Sequence, residues 1–254
     1  MRILILTQEE PVFIGPMLIR FSKIRNKEIC GVLLLGKRDG GNNPKGIFQK
    51  LERIYIYYLI YGLNGILSAL IRKIVINSEN SIYKACKKYN ILCNNISAIN
   101  EASDYLKKLS PDIIINQSDI IIPKDIIDFP KHGVISRHGS LLPDYRGRMA
   151  SFWSFFHEKS TGITIYRISE KIDSGVIILQ KNVDSKDFSD YFEYSNFIFN
   201  KSAGCLDEAI KLIGSGNIEA EKINTSTPLY KFPTKVDAIL YRKALKKRNR
   251  QSKK

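Results

Sequence analysis

"DIIINQSDIIIPKDIIDFPKHGVISRH", residues 112–138, holds two apolar runs of strand length, and their character decides the fold. The run "DIIIN" (112–116) does not alternate: its consecutive isoleucines are apolar on both faces, as in a strand covered on both sides of a parallel sheet. "GVISRH" (133–138) reads as the next strand and ends on a histidine. Working outward, residues 2–6 and 28–35 read as two earlier strands, with apolar residues at helical spacing over 14–24 between them. Residues 78–90 start on a serine suited to capping and read as a helix, as do residues 100–109. This alternation predicts an α/β fold, a doubly wound and mostly parallel sheet whose ligands gather at the carboxyl ends of its strands. His138 stands at such an end.

The second half changes character. "SFWSFFHE" (151–158) reads as a short helix, and residues 162–168 and 175–183 as strands around "SEKIDSG". Residues 188–213 read as a long helix turning Leu206, Ile210 and Ile213 to the core. Residues 36–46, "GKRDGGNNPKG", are full of breakers and read as a loop. Beyond Gly214 the chain turns polar, with "TSTPLYKFPTK" (225–235) extended between prolines. The expected organisation is a main domain over 1–213, carrying an apolar helical insertion over 45–73, and a small appendage with a basic tail over 214–254.

The formal charge of +15 invites a nucleic-acid reading, yet eight of the 40 Lys and Arg lie between residues 242 and 254, where no acid accompanies them. More than half of the excess is therefore in one tail, expected to be a frayed and solvated end. Nothing specific favours nucleic acid. The four cysteines (Cys30, Cys86, Cys93 and Cys205) form no CxxC pair and read as reduced, cytoplasmic residues, so no metal site is expected. The first residues are too short an apolar run for a signal peptide and read as a strand. "IYIYYLIYGLNGILSALI" (54–71) has no charge and is bracketed by Lys50 and Arg53 before it and Arg72 and Lys73 after it. Three readings stay open for it: a span, a helix lying on a membrane surface with snorkelling cations, or an ordinary packing helix.

Alternation along the strand puts Ser136 and His138 on one face and Arg137 on the other. Imidazole is the side chain best suited to donating a hydrogen bond or moving a proton near neutral pH. Pro143 and Gly147 then shape a turn that can pass close to a ligand. In "KIDSG" Asp173 lies in a tight loop between two strands, within reach of the imidazole if that loop folds back. Taken alone, a histidine at a strand end usually serves packing, and an Asp before Ser-Gly usually serves a turn. The combination is far less generic.

That combination resembles the formyltransferases that use 10-formyltetrahydrofolate. Their hallmark is Asn-x-His-x-Ser-Leu-Leu-Pro followed by an aromatic, a base and Gly, then a Gly-Val-Thr strand and an Asp-Ser/Thr-Gly loop. This chain reads "SRHGSLLPDYRG" at 136–147, "TGITIYRI" at 161–168 and "KIDSG" at 171–175. The likeness extends over about residues 81–213, and more loosely over the first 35. It implies a formyltransferase-type Rossmann-like fold and an amine attacking the formyl carbon of the folate. His138 would then stabilise the oxyanion, Asp173 would orient it and help remove the amine's proton, and no metal would be required. The formyl donor would be held by Ile120, Ile121, Ile122 and Pro123 and by the loop of Glu170, Lys171 and Ile172, largely through backbone groups.

The chain departs from the motif at Ser136, where the family has Asn. Loss of one oxyanion donor costs about 2.7 to 4 kcal/mol, roughly a hundred- to a thousand-fold in rate. Three outcomes are open: Ser136 serves at a reduced rate, another donor such as Asn116 compensates, or the site binds without catalysing. For the acceptor, the likeness suggests the branch that formylates amino sugars on nucleotides or lipid-linked glycans, since residues after the long helix are too few for the C-terminal barrel of the tRNA enzymes. Ser140, Tyr145, Arg146, Arg148 and Trp153 are the expected acceptor residues, because arginines and aromatics suit a diphosphate-linked sugar and its base. Glycinamide ribonucleotide and methionyl-tRNA are the alternative amines. The setting implied is cytoplasmic, with peripheral contact to the inner face of a membrane through residues 54–71; an oligomer is left open.

Overall fold

A computed structural model describes residues 1–36, 46–75, 81–218 and 221–251. The first part of the chain forms β1 (Ile3–Gln8), α1 (Ile14–Arg25), β2 (Ile29–Leu35), α2 (Ile47–Val75), α3 (Ile82–Lys88), β3 (Cys93–Ile96), α4 (Ala102–Leu109) and β4 (Ile113–Gln117). There follow α5 (Lys124–Asp128), β5 (Val134–His138), β6 (Arg146–Gly147), α6 (Ala150–His157), β7 (Gly162–Ile168) and β8 (Gly175–Asn182). The chain ends in α7 (Tyr191–Ser215), β9 (Glu221–Lys222), β10 (Leu229–Tyr230) and α8 (Lys235–Gln251). The loop expected over 36–46 falls almost wholly outside the described residues, as does the start of the helix expected from Ser78. Within the described part of that helix Ser81 is the cap, accepting from the Lys84 N–H at 3.3 Å.

An eight-stranded sheet runs in the order β3-β2-β1-β4-β5-β7-β8-β9. Neighbours from β3 to β5 are parallel, whereas β7, β8 and β9 add antiparallel strands beyond β5. The predicted α/β class is therefore found, with the parallel part on one side of β5. The isoleucines of residues 113–115 show why. Ile113 and Ile115 join one core with Phe21, Leu206 and Ile210, while Ile114 joins a second with Leu106, Ile126 and Val134 on the opposite face. A strand apolar on both sides is what a doubly covered sheet requires. The long helix sits at 191–215, three residues later than expected at its start, because the Asp190 carboxylate accepts from the Glu193 N–H at 2.9 Å and caps it there.

The helix expected at 54–71 is longer, Ile47–Val75, and is broken at Gly62, whose φ of 70° is open to glycine at little cost. The break leaves terminal carbonyls of its first half without helical donors. Arg242 supplies one, its Nη2 donating to the Tyr58 carbonyl at 3.3 Å. No helix among the described residues is long and apolar enough to cross a membrane.

The basic tail corrects an expectation. Residues 242–251 are not frayed; they continue α8, whose Ala238, Tyr241 and Leu245 are buried in the same core as α1 and α7. The Tyr241 hydroxyl accepts from the Tyr191 N–H at 3.0 Å, and Arg248 donates to the Phe188 carbonyl at 2.8 Å while lying over the Phe155 ring. The segment expected as an appendage is thus packed onto the body. Like charge along a sequence predicts solvation only when the spacing hides no apolar stripe, and here Ala238, Tyr241 and Leu245 recur at spacings of three and four, with Arg248 next on the same side.

Candidate active site

Register builds the site. Asn116 on β4 pairs with Ser136 on β5, which pairs with Tyr166 on β7, so three polar side chains line one row across three strands. His138 lies one pleat further along the same face of β5. The loop between β7 and β8 then folds back over this face and delivers Asp173.

The Asp173 backbone is at φ 44°, and Tyr145 in the facing turn is at φ 57°. Both are left-handed conformations that non-glycine residues seldom adopt and that persist where surrounding contacts enforce them. The contacts are visible. One Asp173 carboxylate oxygen accepts from the Gly147 N–H at 2.6 Å, and the other accepts from the Tyr166 hydroxyl at 2.9 Å. Gly147 is required there, since a Cβ would run into the Tyr230 carbonyl of the β6–β10 pair.

His138 is buried, with Nδ1 3.5 Å from the Asp173 carboxylate and Nε2 3.1 Å from the Tyr145 carbonyl. Burial pushes its pKa below the ordinary histidine value, and the Asp173 charge works against that shift. Both ring nitrogens face acceptors, so a proton arriving at this imidazole has a partner on each side. Burial and the neighbouring Asp173 charge together hold the Tyr166 phenol well above its usual range, keeping it a donor.

Ser136 donates its hydroxyl to the Asn116 carbonyl at 3.0 Å. The Asn116 side-chain oxygen accepts from the Ser118 N–H and hydroxyl, at 3.0 and 2.6 Å, which turns its amide NH2 toward other acceptors. Arg137 points away, as alternation requires. Its guanidinium lies 3.8 Å from the centre of the Phe199 ring under α7, with Nε and Nη1 unpartnered among the described residues. Burial lowers its pKa to about 10.

The two segments expected to hold a folate are brought together: Lys124, just after Pro123, pairs with Glu170 at 3.5 Å. Beside that pair a cavity of about 540 Å³ is lined by Lys124, Ile127, Gly133, Arg167, Ile168 and Glu170, at the start of β5, and by none of residues 120–123. Ile121 and Ile172 are exposed at 64% and 47%, an unusual state for isoleucine, while Ile122 is buried in the core behind them. A second cavity of about 550 Å³ lies on the other side of the loop, lined by Arg146, Glu170, Lys171, Ile172, Thr225 and Leu229.

A family model described as formyl transferase matches residues 62–195. The chain belongs to the formyl transferase family. The methionyl-tRNA formyltransferase of Clostridium acetobutylicum is 30% identical over 154 residues, covering 60% of this chain and 47% of that protein. The chain thus spans about half the length of this curated relative. Among solved structures, glycinamide ribonucleotide transformylase 1 from Symbiobacterium toebii shares the fold with a TM-score of 0.60 at 15% identity, covering 88% of this chain and 94% of that one. A sugar N-formyltransferase from a Shewanella species gives 0.58 at 12% identity, covering 96% and 87%.

Within this formyl transferase chain, four of the five expected acceptor residues are spent on structure. Arg146 is buried and donates to the backbone carbonyls of Asp173, Ile172, Thr225 and Thr227, tying the loop between β7 and β8 to the C-terminal segment. Ser140 donates to the Asp144 carbonyl. Trp153 is in the core and donates to the Lys231 carbonyl, and the Tyr145 hydroxyl meets His157. Arg148 alone of the five is exposed. These residues sit in a turn that needs buried polar partners of its own. Tyr166 and the Gly147 N–H were missed: strand alternation shows which side Tyr166 faces, but only register shows that it faces Ser136 and Asp173.

Proposed function

We propose that the protein transfers a formyl group from 10-formyltetrahydrofolate to a primary amine, and that the amine belongs to an amino sugar carried by a nucleotide or a lipid-linked glycan precursor. The observation that carries this reading is the His138–Asp173 contact of 3.5 Å, built on a carboxylate already fixed by two donors. The donor, when bound, supplies the formyl carbon; Ile120–Pro123 and Glu170–Ile172 would hold it beside that contact. His138 then offers a hydrogen bond to developing oxygen charge, and Asp173 orients it and takes up the amine's proton. Preorganisation is what makes such donors effective, and the fixed carboxylate supplies it.

The acceptor class is drawn from the sugar N-formyltransferases among the fold neighbours; the exposed Arg148 and Lys171 and the second cavity suit an anionic carrier of the amine. Glycinamide ribonucleotide or methionyl-tRNA would meet the same centre. The free thiols of all four cysteines fit a cytoplasmic setting. A second reading, a folate-binding protein without turnover, is favoured by one observation: the Ser136 hydroxyl is committed to the Asn116 carbonyl. Asn116, one strand away in the same row, would be the amide to compensate.

Calorimetric titration with 5-formyltetrahydrofolate, an unreactive analogue of the donor, tests the reading. Wild type binds, and Asp173→Asn binds within about tenfold of it but forms no formylated amine when given the reactive donor and an amino-sugar nucleotide. A folded wild type that takes up no analogue would overturn both readings; binding without any product from the wild type would leave the second.

A further inference from the structure

Helix α2 carries large apolar residues on more than one side, and the structure buries only one of them. Ile56 and Ile60 enter the core, and Tyr57 and Tyr61 pack on Phe232 and Tyr191. The outward side carries Ile47, Leu51 and Ile54 before the Gly62 break and Leu63, Leu67 and Leu70 after it, each more than half exposed. Half of the large apolar residues exposed among the described residues lie on this one helix. Spacings of three and four keep each set of three in a stripe on its own half of the helix. Exposed apolar stripes of this kind on a protein surface mark something that covers them.

Charge identifies the cover. Helix α8 is packed alongside α2, with Arg242 bonded to Tyr58 and Lys235 lying 5.6 Å from the Tyr55 ring. On its own outward side α8 exposes Val236 and Leu240, then Lys243 and Lys247. Residues 47–75 and 235–251 together contain eleven Lys and Arg and two acids. A second copy of the chain docked by this face would bring two such basic helices together and be repelled. An anionic bilayer presents the complement of both features at once, acyl chains for the stripe and phosphate for the cations.

We propose that the outward faces of α2 and α8 form a docking surface for an anionic lipid bilayer, with α2 lying in the plane of the headgroups. With no helix among the described residues long and apolar enough to cross, α2 seats its exposed leucines and isoleucines at the acyl boundary while the lysines of α8 stay among the phosphates. This inference does not depend on formyl transfer. Such a surface would hold the active site near lipid-borne substrates, should these be the acceptors.

The test mixes the purified full chain with vesicles of phosphatidylcholine alone or of equal parts phosphatidylcholine and phosphatidylglycerol, and pellets them. Binding to the anionic vesicles about tenfold or more above the neutral ones, reversed by high salt, is expected. Ile54→Glu with Leu67→Glu should abolish it without changing the thermal midpoint. Should that variant fail to fold, Lys243→Glu with Lys247→Glu, on exposed positions of α8, should weaken anionic binding in the same way. Absence of pelleting with either vesicle, or equal pelleting with both, overturns the proposal. So does a stable dimer in sedimentation equilibrium that the α2 variant dissociates, which would assign the face to a second copy.

Discussion

Asp173 illustrates how one residue is held in place by its surroundings. Its left-handed backbone is unfavourable by itself, and the Gly147 N–H, the Tyr166 hydroxyl and the Arg146 guanidinium on its carbonyl hold it there. Tyr166→Phe removes one of the two donors to the carboxylate and leaves the ring's packing in place. If the proposed reaction holds, kcat should fall about tenfold or more with KM for the amine within about twofold, because the loss is felt at the reacting centre and not in acceptor binding; steady-state kinetics at fixed donor concentration check it. His138 and Asp173 were legible in the sequence as a pair because each stands in a recognisable local pattern, a strand end and an Asp-Ser-Gly loop. Tyr166 was not: it reads as an ordinary strand tyrosine until β5 and β7 are paired. Arg146 shows the reverse: its charge suggested a ligand contact, and the fold also uses it to satisfy four carbonyls.

At the scale of elements, α8 carries the clearest energetic consequence. Leu245 is 6% exposed and belongs to the main core, so Leu245→Ala should cost about 2 to 4 kcal/mol in global stability. A urea melt would show this as a lower midpoint with unchanged slope, whereas a solvated tail would leave the midpoint alone. Helix α2 was legible as an apolar segment, and its length and kink were not. Gly62 has no sequence neighbour that betrays its conformation; the kink is fixed by Arg242, 180 residues away, bonding to the Tyr58 carbonyl.

For the whole molecule, all three histidines have pKa values below the ordinary 6.5, each chiefly through burial. A buried neutral histidine takes up its proton more readily once unfolded, so the unfolded state binds more protons below that value and stability falls as the pH falls through it. Thermal midpoints should therefore decline between pH 7 and pH 5, with a smaller decline in His138→Gln; a flat profile would contradict burial as the cause. The sequence by itself determined the α/β class, the doubly covered strand over residues 113–115 and the motif around His138, because burial on two faces and a shared reaction chemistry both leave local patterns. Tertiary structure alone decided that Asn116, Ser136 and Tyr166 share a row, that Arg146 is a clamp and that the basic tail is a core helix. Each of those depends on register or on a partner distant in the chain, and no local pattern encodes either one.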